Sequence, residues 1–276
     1  MAITIEQLKK QGSDRLRDAG IAEADLDAAY LLEYVLHIDR MAFLMDKEKE
    51  VSSEDASRYM EQIEVRAKHI PLEHITGEQE FMGYSFFVNE HVLIPRQDTE
   101  VLVEQVAKLA DGKRVLDVCT GSGCIILSLD QLCNLTKAVG VDLSTEALKV
   151  ARANGMRLDS SVEWIESDLF ANVTGTFDII VSNPPYIETK VIDGLMEEVR
   201  CHEPMMALDG GEDGLYFYRK IVEESPKYLT NNGYLCFEIG YNQGEEVKAL
   251  MEHAGFQECQ VIKDLAGLNR VVMGHL

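Results

Sequence analysis

From Arg114 onwards, short apolar runs alternate with segments whose apolar residues recur at helical spacing. This alternation is the strongest constraint on the fold, because strands that are separated by helices assemble into a mostly parallel sheet covered by helices. Strands are predicted at 114–118, 137–141, 162–166, 177–182, 233–239, 258–263 and 269–273. Helices are predicted near 124–133, 145–157, 214–230 and 242–254. The pattern therefore predicts a doubly wound α/β domain with seven strands.

The first 75 residues show helical patterns without this alternation. Thr4 and Gln7 fit a capping box ahead of an apolar helix. Apolar residues recur at helical spacing over 25–37, and again from Ser53 until Pro71 ends the pattern. No strand is predicted here, so we expect a small helical domain at 1–75.

Residues 76–94 form a third kind of segment, which is rich in aromatic residues and punctuated by glycines. This composition predicts a β-hairpin, and its place between the helical and α/β segments makes it a connector. A helix follows from about Asp98 to Ala110, with acidic residues in its first turn, where the helix dipole favours negative charge. The α/β domain is therefore expected to occupy 95–276.

The first predicted strand of the α/β domain leads into a turn that contains glycines. Val115–Val118 is followed by Cys119-Thr120-Gly121-Ser122-Gly123, and an apolar helix begins at Cys124. A strand, a glycine turn and a helix together form a pocket for a nucleotide-type ligand. A dinucleotide fingerprint needs a third glycine where this chain has Ile126, and the chain has no Gly-Lys-Ser/Thr element of a P-loop. The carboxylate of Asp117 also disfavours a polyphosphate at this strand end.

Two further carboxylates are predicted at the ends of the next two strands. Asp142 ends the second strand, where it can accept hydrogen bonds from ribose hydroxyls or, alternatively, cap the helix after Ser144. Asp168 ends the third strand, where it can accept from an adenine amine, and Phe170 can pack on the ring. Carboxylates at three strand ends suit S-adenosylmethionine, because this cofactor carries a cationic sulfonium and no phosphate.

Asn183-Pro184-Pro185-Tyr186 directly follows the apolar run Phe177–Val181. A proline pair cannot continue a strand that needs its N–H groups, so the chain breaks at the carboxyl end of the strand, where open α/β sheets bind ligands. The side-chain oxygen of Asn183 and the carbonyl of Pro184 can accept both hydrogens of a planar NH2 group, while Tyr186 covers its plane. This tetrad indicates alkylation of an amide-like or aromatic nitrogen, although Asn-Pro and Pro-Pro are also ordinary turn sequences.

The chain carries 48 acidic and 26 basic residues, which gives a net charge of −22. Non-specific affinity for nucleic acid comes mainly from Lys and Arg, so a basic protein is a better candidate for a macromolecular substrate than DNA. No apolar stretch reaches the roughly 20 residues that cross a bilayer, and the chain does not begin with a secretory signal. Six cysteines without a Cys-x-x-Cys pair indicate free thiols in a reducing compartment, most simply the cytoplasm, and no metal-ligand spacing is present.

The motifs of this sequence resemble those of the glutamine N5-methyltransferases of peptide chain release factors, and the resemblance covers nearly the whole chain. The Asn-Pro-Pro-Tyr tetrad is shared with adenine and guanine amino methyltransferases, whereas the segments at 71–100 and 203–211 are far more specific. The matching residues in these segments are Pro71-Leu72, Ile75-x-Gly77, Glu80-Phe81-x-Gly83, Phe86-x-Val88, Ile94-Pro95-Arg96-x-x-Thr99-Glu100 and Glu203-Pro204-x-x-Ala207-Leu208-Asp209-Gly210-Gly211.

The resemblance implies a Rossmann-like, seven-stranded, S-adenosylmethionine-dependent methyltransferase domain, joined by the hairpin to a helical domain that engages the release factor. The implied substrate is the glutamine of a Gly-Gly-Gln loop in that partner, and the implied product of the cofactor is S-adenosylhomocysteine. Together with the residue patterns, the resemblance places the cofactor at Asp117, Cys119, Thr120, Gly121, Ser122, Gly123, Asp142, Leu143, Asp168, Leu169, Phe170 and Asn183. The substrate amide is expected at Asn183, Pro184, Pro185 and Tyr186, of which Asn183, Pro184 and Tyr186 are the catalytic candidates.

The resemblance leaves three sets of residues without a single assigned role. The family usually has glycine where this chain has Cys119, and local adjustment is expected unless this position needs a positive φ. Arg96 and Glu100 are expected either near the pocket or in a salt bridge that holds the domains. Glu203 and Asp209–Gly211 are expected to shape a loop over the active site.

The expected mechanism is orientation of a poor nucleophile. Hydrogen bonds from both N–H groups to Asn183 and Pro184 hold the amide nitrogen in line with the methyl group, which can supply up to ~7–11 kcal/mol of the barrier without a general base. Two alternatives are a nucleic-acid amino methyltransferase that acts on a flipped base and a non-enzymatic nucleotide-binding or scaffold protein. The acidic composition argues against the first, and the intact Gly121, Gly123 and Asp142 argue against the second.

Overall fold

The computed structural model describes residues 3–276, which form two compact units. The first unit extends to Gly77 and also contains Glu197–His202, and the second contains Glu78–Met196 and Glu203–Leu276. Helices and strands are numbered below in chain order. None of the described helices has both the length and the apolar character that a membrane crossing requires.

The first unit consists of short helices and one small antiparallel ribbon. Its elements are β1 (Ile3–Thr4), α1 (Ile5–Asp18), α2 (Ala24–Leu36), α3 (Arg40–Met45), β2 (Glu50–Val51), α4 (Ser53–Arg66), α5 (Leu72–Thr76) and α10 (Glu197–His202). The predicted capping box is confirmed, because the amide of Thr4 donates to Gln7 Oε1 at 3.1 Å and the amide of Gln7 donates to Thr4 Oγ1 at 3.3 Å. The β1–β2 pair is an addition to the predicted helices, since two-residue strands are too short to show an alternating pattern.

A buried group of charges ties α10 to the rest of this unit. Arg66 is 4% exposed and donates to Asp27 Oδ2 at 2.7 Å and to Glu198 Oε1 at 2.6 Å. Burial raises the pKa of Asp27, while the hydrogen bond from Arg66 opposes that rise. Because an unpaired buried charge is costly, this cluster explains why a segment so distant in sequence belongs to the first unit.

The second unit is built around a seven-stranded sheet. Its elements before the sheet are β3 (Glu78–Phe81), β4 (Tyr84–Phe87) and α6 (Gln97–Ala110). The remaining elements are β5 (Arg114–Val118), α7 (Cys124–Leu132), β6 (Lys137–Asp142), α8 (Thr145–Arg157), β7 (Glu163–Glu166), β8 (Phe177–Ser182), α9 (Thr189–Ile192), α11 (Tyr216–Glu224), β9 (Leu229–Glu238), α12 (Gly244–His253), β10 (Gln257–Lys263) and β11 (Asn269–His275).

The sheet has the strand order β10-β11-β9-β8-β5-β6-β7. The five strands from β9 to β7 are parallel, and β11 is antiparallel to both of its neighbours, β9 and β10. Along β8, Ile179 and Val181 belong to one apolar core cluster and Ile180 belongs to the other. The sheet is therefore buried on both faces, as a run of consecutive apolar residues requires. The predicted Rossmann-like α/β fold is confirmed.

The structure differs from the predicted elements at one place that matters for the sheet. The helix predicted at 214–230 ends at Glu224 and gives way to a 3₁₀ turn, Ser225–Lys227, and β9 begins at Leu229 rather than at 233. Pro226 explains the difference, because proline lacks the N–H that a continuing helix needs. The predicted hairpin is present as the β3–β4 pair. The division into domains at 75 and 94 remains a prediction.

Candidate active site

The sheet topology brings the two predicted motifs together. From β5 the chain continues outwards to β6 and β7 on one side, whereas β8 and β9 lie on the other side. Val118 pairs with Ser182 in the parallel β5–β8 ladder, so the glycine loop after Val118 and the tetrad after Ser182 leave the sheet side by side. This is the topological switch point, where open α/β sheets form their ligand crevice.

A cavity of about 520 Å³ lies at this edge, within the range of small-molecule sites. Ten of the predicted site residues line it: Cys119, Thr120, Gly121, Ser122, Asp142, Leu143, Asp168, Leu169, Asn183 and Pro185. The lining also includes residues that the sequence pattern did not assign to the cofactor, among them Pro95, Arg96, Thr99, Met205, Met206 and Phe217. Among the described residues, no group of three or more His, Cys, Asp or Glu side chains is arranged to hold a metal ion.

The glycine loop is held in shape by the carboxylates beside it. The amide of Gly121 donates to Asp142 Oδ2 and the amide of Ser144 donates to Asp142 Oδ1, both at 2.8 Å. Ser144 is the residue that caps α8, because its hydroxyl accepts from the amide of Ala147 at 3.1 Å. Asp142 is therefore not the helix cap, and each of its oxygens keeps a lone pair for a ligand hydroxyl. Burial raises the pKa of Asp142.

Asp117 was expected to contact the cofactor, but it does not line the cavity. It is fully buried and is not part of the cavity wall, and its Oδ2 accepts from the hydroxyl of Thr120 at 2.5 Å. Burial raises the pKa of Asp117 to about 7. Asp117 therefore holds Thr120 in place rather than lining the cavity.

Phe170 and Gly123 also lie outside the cavity wall. The ring of Phe170 is fully buried and stacks on Tyr228 with 4.8 Å between the ring centroids, so it is part of the core and does not offer a face to an adenine. Gly123 has a φ of 80°, and a Cβ there would come within 2.8 Å of the side chain of Trp164. Its role is to let the loop turn closely over that ring.

Cys119 occupies the position where a glycine was expected, and its backbone is left-handed with a φ of 63°. This conformation costs an L-residue roughly 1–2 kcal/mol. Burial also raises the pKa of the Cys119 thiol, so the sulfur stays protonated. The condition stated for this position is therefore met: Cys119 adopts a positive φ, so it is a strained residue rather than a locally adjusted one.

Substitutions at Cys119 should separate strain from packing. We expect Cys119→Gly to stay within about 1 kcal/mol of the wild type in free energy of unfolding, because relief of strain is offset by the flexibility of glycine in the unfolded chain. Cys119→Val should be less stable by about 1–3 kcal/mol, since a branched Cβ is poorly tolerated at positive φ. Urea denaturation of the three proteins measures both differences, and a valine variant as stable as the wild type would contradict the left-handed backbone.

The tetrad presents its asparagine to the cavity and its tyrosine to the core. Asn183 lines the cavity, and its Nδ2 donates to Thr99 Oγ1 at 3.4 Å. Pro184 and Tyr186 are not part of the cavity wall. Tyr186 instead packs against the core, and its hydroxyl donates to Glu238 Oε1 at 3.4 Å. The expected cover of Tyr186 over the substrate plane is therefore not seen in this arrangement.

The backbone at the end of the tetrad is hydrogen-bonded to a segment that lies more than 20 residues further along the chain. The amide of Ile187 donates to the carbonyl of Leu208 at 3.0 Å, and the amide of Gly210 donates to the carbonyl of Ile187 at 2.8 Å. The side chain of Gln243 adds a hydrogen bond from Nε2 to the carbonyl of Tyr186 at 3.0 Å. These contacts leave the turn after Asn183 little freedom to move.

Two charged residues of the 94–100 segment have different roles. Arg96 lines the cavity and pairs with the buried carboxylate of Glu203, both within the second unit. Glu100 lies elsewhere and accepts from the amide of Met82 at 2.7 Å, which anchors the β3–β4 hairpin. Thr99, which contacts Asn183, is the functional neighbour that the sequence pattern missed. The one indication of this role in the sequence is that Thr99 lies in the same motif, at 94–100, as Arg96.

Comparison with known proteins adds an independent finding. Residues 7–77 match the family model described as the PrmC N-terminal domain, and residues 96–202 match the methyltransferase small domain. The chain is 39% identical over 280 residues to a release factor glutamine methyltransferase of Caulobacter vibrioides, with 99% of this chain and 97% of that protein covered. It is 40% identical over 263 residues to a protein of the same name from Geobacter sulfurreducens, with 95% and 93% covered. A methyltransferase structure from Pyrococcus furiosus superimposes with a TM-score of 0.53 at 19% identity, over 69% of this chain and 87% of that one, which shows a shared fold.

Proposed function

The chain belongs to the family of release factor glutamine methyltransferases, and we propose that it methylates the side-chain amide nitrogen, N5, of the glutamine in the Gly-Gly-Gln loop of peptide chain release factors. The observation that carries this proposal is the place of Asn183. It lies at the cavity beside the glycine loop, and its Nδ2 donates to Thr99. The Oδ1 of Asn183 is then the atom that accepts an N–H of the substrate amide.

The residues of the cavity fit S-adenosylmethionine as the methyl donor. Asp142 has lone pairs for the ribose hydroxyls, and Asp168 adds a second carboxylate to the wall. The cationic side chain of Arg96 is neutralised by Glu203, so it does not oppose a cationic ligand. When bound, this cofactor supplies an electrophilic methyl group and leaves as S-adenosylhomocysteine.

The task of the protein is then to position a weak nucleophile. The lone pair of an amide nitrogen is delocalised into its carbonyl, so the nitrogen attacks only when it is held in line with the methyl group. The Oδ1 of Asn183 accepts one N–H group from the cavity wall, and we assign the second to the carbonyl of Pro184, which follows Asn183 directly but does not itself line the cavity. Fixing that orientation can contribute several kcal/mol, ~7–11 at most. With the cofactor bound, methyl transfer would form the nitrogen–carbon bond as the carbon–sulfur bond breaks, and the extra proton of the product amide would pass to water.

The partner in this proposal is a protein rather than a nucleic acid. The net charge of −22 favours a basic protein surface over a phosphate backbone. We assign recognition of the release factor to the helical domain at 1–75 and the connector role to 76–94. The location that suits this substrate is the cytoplasm, where release factors act.

Mass spectrometry of a co-expressed release factor tests the proposal. We expect one added methyl group on the loop glutamine, and no methyl group on a release factor whose loop glutamine is replaced by asparagine. Incubation with methyl-labelled S-adenosylmethionine and either the release factor or DNA tests the alternative. Label on DNA and none on the protein would support the nucleic-acid amino methyltransferase instead.

A further inference from the structure

A buried asparagine outside the cavity wall connects two of the segments that form this wall. Asn154 lies on α8 and is fully buried. Its Oδ1 accepts from the amide of Phe87 at 2.7 Å, and its Nδ2 donates to the carbonyl of Phe87 at 3.0 Å and to the carbonyl of Ser122 at 2.9 Å. Both N–H groups of the side-chain amide and its oxygen are therefore in use, so its partners fix its orientation.

The first of these segments is the glycine loop. Ser122 lines the cavity and is 2% exposed. The amides of Thr120 and Gly121 donate to the last two residues of β6, at 2.9 and 2.8 Å, and so attach the start of the loop to the sheet. The bond from Asn154 holds the loop further along, at the carbonyl of Ser122. Because a peptide group is planar, a fixed carbonyl also fixes the direction of the next N–H group.

The second segment is the chain that leaves the β3–β4 hairpin. Phe87 is the last residue of β4, and its ring is 38% exposed, so Asn154 holds the main chain of Phe87 rather than its side chain. The next residue, Val88, is buried in one apolar cluster with residues of α8. Residues 91–96 follow, and most of them line the cavity. Asn154 therefore anchors the chain just before it becomes part of the cavity wall.

We infer that Asn154 is a positioning residue for S-adenosylmethionine, because its amide holds the glycine loop and the segment that leads to 91–96 on one anchor. The inference rests on the proposed function for its cofactor, but not for its protein substrate. A ligand that binds to a loop gains affinity when the loop is already in place, since binding then does not have to order it. Asn154 supplies that order without touching the ligand.

The same amide makes the loop and the hairpin depend on each other. A ligand on the glycine loop restrains Ser122, and the planar amide of Asn154 extends the restraint to Phe87, because both residues are bonded to it. Such a linkage is reciprocal, so a loosened Phe87 also weakens ligand binding. This reciprocity distinguishes a positioning residue from one that only adds stability.

Calorimetry of Asn154→Asp tests the inference. This variant keeps the size of the side chain and the oxygen that accepts from Phe87, but it places a carboxylate oxygen against the carbonyls of Phe87 and Ser122. We expect the Kd for S-adenosylmethionine to rise about tenfold, as the loss of a buried hydrogen bond implies, while kcat at saturating cofactor stays within about twofold of the wild type. The difference in Kd should narrow as the pH falls, because a protonated carboxyl group can donate again. The exposed Asn231→Asp is the matched control and should keep the wild-type Kd.

Hydrogen exchange in the wild type tests the inference even if Asn154→Asp does not fold. Saturating S-adenosylhomocysteine, which transfers no methyl group, should slow exchange of the Phe87 amide by about fivefold or more. The amide of Met82 in the same hairpin donates to Glu100 Oε1 at 2.7 Å instead, so it is the internal control and should change less than about twofold. In a folded Asn154→Asp the ligand should no longer slow the Phe87 amide.

The outcomes separate this inference from the proposed function. An unmethylated release factor, together with cofactor binding and slowed exchange at Phe87, would refute the proposed substrate and keep the role of Asn154. A wild-type Kd in Asn154→Asp, with or without a lower melting temperature, would make Asn154 a structural residue only, even if the release factor is methylated. Equal exchange of the Phe87 amide with and without S-adenosylhomocysteine would also overturn the inference. A wild type that binds neither form of the cofactor would overturn both.

Discussion

Replacing Asn183 with alanine is expected to lower kcat for release-factor methylation by about 100- to 1000-fold. The variant loses the side-chain oxygen that accepts one N–H of the substrate amide, and preorganised polar contacts of this kind are worth factors of that size. The affinity for S-adenosylmethionine should change little, because the loop at 119–123 and Asp142 keep their mutual hydrogen bond at 2.8 Å. The loss therefore falls on turnover rather than on cofactor binding.

Single-turnover kinetics and calorimetry measure the two quantities for the Asn183 variant. The exposed Asn231→Ala is the matched control, and it should retain both wild-type turnover and wild-type cofactor affinity. Equal losses of turnover and cofactor affinity in Asn183→Ala would argue that this residue binds the cofactor only. Wild-type turnover would remove Asn183 from the mechanism.

Replacing Gly210 with alanine is expected to damage the tetrad without touching any residue of it. A Cβ at this position would lie 2.6 Å from the Cα of Tyr186 and 2.9 Å from the carbonyl oxygen of Pro185, closer than the 3.0 Å below which something must shift. Both obstacles are backbone atoms, which cannot rotate away. The tetrad must therefore move, and we expect about a 100-fold loss of turnover together with about 1–3 kcal/mol of stability.

The matched control for this second prediction is Gly194→Ala. Gly194 is exposed, and the nearest atom to its added Cβ is the carbonyl oxygen of Val191 at 3.4 Å, an ordinary contact. This variant should keep wild-type turnover and a wild-type melting temperature. If Gly210→Ala keeps wild-type turnover as well, the close approach of 208–211 to the tetrad has no role in positioning it.

The elements of the fold were largely predictable because burial imposes a local pattern. Strands at 114–118 and 177–182 and the helix at 145–157 have the predicted bounds. The prediction was wrong at 214–230, where helical apolar spacing continues past Pro226 although the helix ends at Glu224. Backbone chemistry overrides hydrophobic periodicity at such a position.

The candidate site was predictable where residues follow directly from a strand end. The stretch Cys119–Ser122, Asp142, Asp168 and Asn183 all line the cavity. The direction of a side chain after a strand end was not predictable, because the chain can turn there and present either side to the ligand. Phe170 therefore lies in the core, although the sequence placed it correctly next to the third strand.

By itself, the sequence determined which chemical groups stand at the ends of the strands, because hydrophobic runs and chain breakers are local properties. Only the tertiary structure decided which of these groups meet. Thr99 and Asn183 are 84 residues apart, and Tyr186 and Glu238 are 52 apart, yet both pairs form hydrogen bonds. For Tyr186 and Glu238 the physical reason is strand order, because β8 and β9 are neighbours in the sheet. For Thr99 it is the packing of α6 beside the end of β8, and both arrangements are set by the whole domain rather than by any one segment of it.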